Sequence, residues 1–141
     1  MRPSVLGMLF TVLGTAASAQ PDLFGIATRY IAAQEAVMEK GAGPHDVDTL
    51  ISFYAPGYTY YHPQFGAKVT GLDTVRQGIT SHLGETTDAQ IEIKGALTSG
   101  DLVSLALKES FVDAATGKRI ERDRVTVLTI KDGKVVQRVD M

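Results

Sequence analysis

The sequence predicts an α+β domain in which helices come first and an antiparallel meander of strands comes last. Up to about residue 84, apolar residues recur at intervals of three and four, as on one face of an α-helix. From Asp88 onward they alternate with polar residues, as in strands with one buried face. The pair Asp132-Gly133 is a typical two-residue hairpin turn. We therefore expect a curved, mostly antiparallel sheet that folds over three helices.

The helices are predicted from the apolar stripes and from the residues that flank them. Gly41 and Gly43 stop the first stripe, and Pro56-Gly57 stops the second. A sequence resembling a capping box, with Asp73 in the place of the usual Glu, precedes the third. The predicted helices run from Asp22 to about Lys40, from an N-cap at Asp46 to Pro56-Gly57, and from Thr70–Asp73 to Gly84.

The strands are predicted from alternation and from the turns between them. A short strand is expected near residue 60, and four longer strands follow residue 88. The predicted turns are Ser99-Gly100, Ala114-Ala115-Thr116-Gly117 and Asp132-Gly133. The long strand between the last two turns runs from about Arg119 to Ile130, and the final strand from Lys134 to Met141.

The first residues have the pattern of a secretory signal peptide. One basic residue, Arg2, precedes an uncharged apolar stretch, and Ala17-Ser18-Ala19 is typical of a cleavage site. The apolar stretch is shorter than the roughly 20 residues of a membrane span, so an uncleaved anchor is the weaker alternative. We predict a signal peptide over 1–19, one domain over 20–141, and a periplasmic or secreted protein with no membrane association after cleavage.

Composition restricts the partners of this domain. The chain has 141 residues, 0 Cys and a net charge of −2, and cleavage after Ala19 would remove one basic residue. A mildly acidic domain does not favour nucleic acid as a partner. Without cysteine it contains no disulfide, so its stability has to come from its hydrophobic core, for which about 120 residues suffice.

This order of elements resembles the nuclear-transport-factor-2-like superfamily, which includes ketosteroid isomerases and SnoaL-like polyketide cyclases. The resemblance covers the whole domain and includes short motifs along it. It implies a cone-shaped sheet whose open end holds a mostly apolar pocket for a small hydrophobic molecule. The motifs are Arg29-Tyr30-Ile31, Phe53-Tyr54-Ala55, Gly71 and Asp132-Gly133-Lys134-Val135-Val136.

The stretch Tyr58-Thr59-Tyr60-Tyr61-His62-Pro63 places three rings on one face of a strand, because Tyr58, Tyr60 and His62 alternate. In ketosteroid isomerases the residue before this proline is the carboxylate base, so the resemblance implies that His62 moves the proton. An imidazole suits this task because its ordinary pKa is near 6.5. Tyr30 matches the tyrosine that donates to the oxyanion in those enzymes.

Two further positions depart from the family patterns. The second oxyanion donor of the isomerases is a carboxylic acid, whereas the corresponding position here is about Thr126. The cyclases carry a His-x-Asp pair on the last strand, where this chain has Arg138 and Asp140. Our candidate catalytic residues are thus His62, Tyr30 and Asp140, and the candidate pocket-lining residues are Tyr54, Tyr58, Tyr60, His82, Glu109, Thr126 and Arg138.

Each candidate also has a purely structural interpretation. Tyr30 suits a core position whose hydroxyl meets a carbonyl group, His62 a turn cap, and His82 a helix face shared with apolar residues. Glu109 lies on an apolar strand face, so it either lines a pocket or pairs with an arginine of the next strand. Asp140 lies near the end of the chain and is subject to fraying. The charged run Lys118–Arg124 suits a solvated strand face, although Arg122 and Arg124 share the parity of Thr126 and could reach Glu109 or a ligand anion.

The sequence lacks motifs for phosphate, metal or nucleophilic-serine chemistry, so we expect no cofactor. Two hypotheses remain. The first is a cofactor-independent isomerase, cyclase or hydrolase that moves a proton on a small apolar carbonyl compound. The second is a non-catalytic module for ligand binding or association. A homodimer through the outer sheet face is compatible with either.

Overall fold

The computed structural model describes residues 22–141, so the predicted signal peptide over 1–19 lies outside the described residues. Three α-helices, six strands and one short 3₁₀ turn (Pro63–Phe65) make up this part of the chain. They are α1 (Leu23–Met38), α2 (Pro44–Ile51), β1 (Tyr54–His62), β2 (Ala67–Thr70), α3 (Leu72–Ser81), β3 (Thr86–Ser99), β4 (Leu102–Asp113), β5 (Arg119–Lys131) and β6 (Lys134–Asp140).

The helices begin where backbone N–H groups find an acceptor. Asp22 caps α1, because its Oδ1 accepts a hydrogen bond from the Gly25 N–H at 2.9 Å. Asp46 was predicted to cap α2, but it lies in the first turn, and its carboxylate accepts from the N–H of the true N-cap, Gly43. The capping box predicted before α3 is also wrong, because Gly71 is the N-cap and no side chain bonds there.

The six strands form one sheet in the order β2-β1-β6-β5-β4-β3. Neighbouring strands are antiparallel except β1 and β6, which run parallel. Shifts of register between β3 and β4 bend the sheet, since each shift adds a residue to one strand only. The predicted α+β fold, three helices packed in a curved sheet, is confirmed.

The turns agree with the sequence in part. Asp132 and Gly133 both have positive φ, 51° and 74°, as a two-residue hairpin of the predicted kind requires. Ser99 still belongs to β3, so that turn lies one residue later than predicted. Pro56-Gly57 does not close a helix but lies inside β1. Strand β2 was not predicted, and Val69 is its one half-buried residue.

The core lies between the concave face of the sheet and the inner faces of α1 and α2. Its fully buried members include Leu105, Leu128 and Val135 from the strands and Ala27 and Leu50 from the helices. None of the helices in residues 22–141 is long and apolar enough to cross a membrane. The helices do not fill the whole concavity, which leaves room for a cavity.

Candidate active site

A cavity of about 820 Å³ lies between α1, α3 and the concave face of the sheet. This volume falls within the usual range for small-molecule sites. Apolar side chains form much of its wall, and polar and charged groups line the rest. The apolar wall includes Val37, Leu50, Val69, Val75, Ile79 and Ile91.

A buried ion pair on β6, between Arg138 and Asp140, lies at one end of the polar part of the cavity wall. Arg138 donates from Nε to Oδ1 of Asp140 at 2.9 Å and from Nη2 to Oδ2 at 2.5 Å. The Thr126 hydroxyl donates to the same Oδ1 at 2.7 Å. Burial by itself would raise the pKa of Asp140, but the Arg138 charge and these hydrogen bonds hold that pKa below its ordinary value. Asp140 is therefore a carboxylate with both oxygens engaged, and it is buried in β6 without fraying.

A chain of hydrogen bonds connects this ion pair to the cavity wall. The Tyr30 hydroxyl accepts from Gln34 Nε2 at 2.9 Å and from Arg138 Nη1 at 3.1 Å. Both of these groups can only donate, so the Tyr30 proton is directed to the Tyr54 hydroxyl, 3.0 Å away. In this arrangement the Tyr54 oxygen accepts, and Tyr54, which lines the cavity, keeps a proton that it can donate.

Three of the four tyrosines of β1, Tyr54, Tyr58 and Tyr60, are neutral donors at neutral pH. Burial raises the pKa of Tyr54, Tyr58 and Tyr60 above the ordinary value. All three line the cavity. Arg138 lies over the Tyr60 ring, with its guanidinium carbon 5.3 Å from the ring centroid, so this aromatic face already holds a cation.

A second charged cluster joins β4 and β5. Glu109 is almost fully buried and pairs with Arg122, whose Nε donates to it, and with Arg124, whose Nη2 lies 2.8 Å from Oε1. The sequence left open whether Glu109 lines a pocket or pairs with arginine. The structure shows both, because Glu109, Arg122 and Arg124 all line the cavity.

The two candidate histidines differ from expectation. The His62 ring packs on Phe65 at 4.4 Å between centroids and against the edge of Tyr60, and it is not among the cavity-lining residues. His82 was expected on a buried helix face, but α3 ends at Ser81, so His82 is exposed at the mouth of the cavity. Its Nδ1 lies 2.9 Å from Glu85.

The structure therefore brings six of the predicted residues to one cavity: Tyr54, Tyr58, Tyr60, His82, Glu109 and Arg138. Tyr30, Thr126 and Asp140 are not part of the lining, because each is fully buried and its polar atoms bond to neighbouring side chains. The Tyr30 hydroxyl and the His62 imidazole, expected to face one common space, do not do so.

Sequence reasoning missed Gln34. It lies one helical turn after Tyr30, and this i, i+4 spacing on α1 was the available signal. Within residues 22–141, no group of three or more His, Asp or Glu side chains could hold a metal ion. The polar groups that a bound molecule would meet include phenols, guanidinium groups, the Gln34 amide and the Glu109 carboxylate, with His82, Glu85 and Asp113 also in the lining.

Comparison with known proteins gives a consistent result. A model of the SnoaL-like domain matches residues 28–138. A search of curated protein sequences finds no match. Among solved structures, a proposed SnoaL-like polyketide cyclase from Shewanella putrefaciens has a TM-score of 0.71 at 20% identity, covering 96% of this chain and 92% of that one.

Two further structures show the same fold at lower identity. A protein of ketosteroid isomerase-like fold from Catenulispora acidiphila, solved in complex with trimethylamine, has a TM-score of 0.68 at 17% identity, covering 87% of this chain and 86% of that one. An NTF2-like protein of unknown function from Burkholderia pseudomallei has a TM-score of 0.67 at 15% identity, covering 86% and 91%.

Proposed function

Because the chain belongs to the SnoaL-like domain family, we propose that it binds a small amphipathic molecule in the cavity between its helices and its sheet. The observation that carries this proposal is the cavity itself, which has room for such a molecule and combines an apolar wall with a polar end. A pocket that combines an apolar wall with a group of polar side chains favours an amphipathic ligand.

The available Tyr54 proton supports the same proposal. The bond from Tyr30 occupies one acceptor position of the Tyr54 oxygen and so turns the Tyr54 proton away from Tyr30. A donor restricted in this way loses less freedom of rotation when it binds an oxygen of a ligand. The ligand's oxygen is thus expected at the tyrosine end, and its apolar body against α3 and β3.

Filling the mouth of the cavity tests the proposal. Gly78 of α3 lines the cavity, and a Cβ added there meets nothing within 4 Å, so Gly78→Phe is expected to fold. We expect this variant to bind N-phenyl-1-naphthylamine, a neutral dye that fluoresces in apolar surroundings, at least about tenfold more weakly than the wild type. Fluorescence titration measures this.

The matched control is Gln77→Phe, which places the same ring on the same helix at an exposed position outside the cavity lining. It should bind the dye as the wild type does. Equal dye binding by Gly78→Phe and the wild type, or an equal loss in both variants, would count against a ligand site in this cavity.

A second candidate function is cofactor-independent proton transfer on a small carbonyl compound, as in an isomerase, cyclase or hydrolase. It is favoured by the same oriented chain, because a hydroxyl aimed at a carbonyl oxygen stabilises the negative charge that develops there. Tyr54 would then be the donor, and Tyr30 would position it. The proton carriers proposed from the sequence are His62 and Asp140, and the contacts of Asp140 favour a role as counter-ion of Arg138.

Exchange of hydrogen for deuterium next to the carbonyl group of 1-indanone in D₂O, followed by NMR, tests this candidate. If His62 carries the proton, His62→Ala should slow the exchange catalysed by the protein by about 10²-fold or more. His45→Ala, on the exposed side of α2, is the control and should leave the rate unchanged. No catalysed exchange by the wild type would dismiss the second candidate, and an unchanged rate in His62→Ala would remove His62 from it.

We also propose export and self-association, which are independent of the site. Cleavage after Ala19 would appear as the mass of residues 20–141 in a chain recovered from the periplasm or the medium.

The outer face of the sheet carries exposed apolar side chains, among them Leu97, Leu102 and Val125, which suit a homodimer. Light scattering that reports a monomer at high concentration would exclude such a dimer.

A further inference from the structure

Arg124 is a buried arginine whose donors are incompletely used. Its side chain is 14% exposed, and neither Nε nor Nη2 makes an aligned hydrogen bond. The 2.8 Å approach of Nη2 to Glu109 is an ion pair whose N–H is not directed at the carboxylate oxygen. Its other neighbour, Asp140, is 3.8 Å away and already bonded by Arg138 through both oxygens.

The charges around Arg124 do not balance. Three guanidinium groups, those of Arg122, Arg124 and Arg138, face two carboxylates, those of Glu109 and Asp140. Burial and the nearby Arg138 charge lower the pKa of Arg124, so its charged form is less stable here than in water. Two more acids line the cavity, but Glu85 is exposed, so solvent screens its charge, and Asp113 already accepts hydrogen bonds from Ala115 and Thr116 in the exposed turn that follows it. An additional anion near Arg124 would complete the balance.

We propose that Arg124 binds the carboxylate of the ligand, and hence that this cavity takes an amphipathic monocarboxylate. This inference rests on the proposed function and specifies its ligand. A carboxylate suits Arg124 because a guanidinium group presents its donors as a planar fork that matches two carboxylate oxygens. The apolar wall on α3 and β3 would then hold the hydrocarbon part.

The same geometry disfavours an amine. A cationic ligand usually binds over aromatic rings, but Arg138 already covers the face of Tyr60. A second cation would meet the Arg138 and Arg124 charges at close range. The Catenulispora acidiphila protein was solved with trimethylamine, and by this argument the present chain has the opposite preference.

Four probes with the same phenylbutyl group separate these ligand classes: 4-phenylbutyrate, its methyl ester, 4-phenyl-1-butanol and 4-phenylbutylamine. Displacement of N-phenyl-1-naphthylamine by each probe is measured on residues 20–141. We expect the carboxylate to bind about 10- to 100-fold more tightly than each of the other three, as for a hydrogen bond between charged groups. Because this comparison uses the wild type alone, it does not depend on the folding of a variant.

The residue is then tested by substitution. In Arg124→Gln the carboxylate should lose its advantage over the ester, whereas Arg124→Lys should keep part of it. The control Arg119→Gln changes an exposed arginine of the same strand, outside the cavity lining, and should keep the advantage in full.

Two results would overturn the inference. One is equal binding of ester and carboxylate by the wild type, and the other is a carboxylate preference that survives in Arg124→Gln. If the dye binds but the carboxylate does not displace it, the inference fails and the proposed function stands. If the dye does not bind at all, both fail.

Discussion

Asp140→Ala is expected to lower the free energy of unfolding by about 3–5 kcal/mol, because it leaves the buried Arg138 guanidinium without its carboxylate. Two hydrogen bonds from Arg138 and one from Thr126 lose their acceptor. An unpaired charge in the interior costs far more than the pair contributes when intact. Urea denaturation followed by circular dichroism measures the change.

Two variants show whether the charge is responsible. The double variant Arg138→Met, Asp140→Leu removes both charges and should recover most of the loss, since apolar residues often replace a buried ion pair without cost. Asp48→Ala breaks an exposed pair with Arg76 and should cost less than about 1 kcal/mol. If the double variant is as unstable as Asp140→Ala, the loss comes from packing and not from an uncompensated charge.

The same residue gives the protein a pH dependence. Because the folded-state pKa of Asp140 is below its unfolded value, its contribution is present above about pH 4 and is lost as the pH falls through the folded pKa. Asp140→Asn should therefore lose less stability than the wild type below about pH 4. If both proteins lose the same stability as the pH is lowered below about 4, the lowered pKa of Asp140 is contradicted.

Glu109→Gln is expected to destabilise the fold and, at the same time, to strengthen the binding of a carboxylate ligand. It removes the buried carboxylate that Arg122 and Arg124 share, which should lower the free energy of unfolding by about 3 kcal/mol, at the low end for buried pairs because Arg122 is half exposed. It also frees the Arg124 guanidinium for a ligand. We therefore expect 4-phenylbutyrate to bind more tightly to this variant and to raise its melting temperature more than that of the wild type.

Thermal unfolding with and without 4-phenylbutyrate measures both effects. The matched control is Glu121→Gln, an exposed carboxylate of β5 that is not part of the cavity lining, and it should change neither stability nor ligand response. Weaker binding of the carboxylate by Glu109→Gln would contradict the view that Glu109 and the ligand compete for Arg124.

The sequence predicted the fold well where periodicity and turn chemistry agree. The change of hydrophobic period near residue 88 and the Asp132-Gly133 turn are both found in the structure. The first follows from the burial of one face of each element, and the second from a local backbone preference. Pro56-Gly57 misled the prediction for a physical reason. The pair lies where the β1–β6 register shifts, so the missing proline N–H marks an interruption within a strand and not the end of a helix.

The site was predictable only as far as strand parity reaches. Alternation put Tyr58 and Tyr60 on one face of β1 and Glu109 among the apolar residues of β4, and in the structure all three residues line the cavity. It could not show that Arg138, which is 108 residues further along the chain, donates a hydrogen bond to the Tyr30 hydroxyl and separates that hydroxyl from the cavity. Nor could it show that His62 lies beyond the cavity, because parity fixes the face of a strand and not the position of the cavity along it.

The parallel pairing of β1 with β6 places the two halves of the chain side by side. Long-range pairing of this kind closes late and slows folding. During synthesis the amino-terminal part emerges first, so the apolar faces of α1 and α2 are made well before the final strand that completes their surroundings. The nascent chain thus exposes these apolar faces for an interval that ends only when strand β6 has docked.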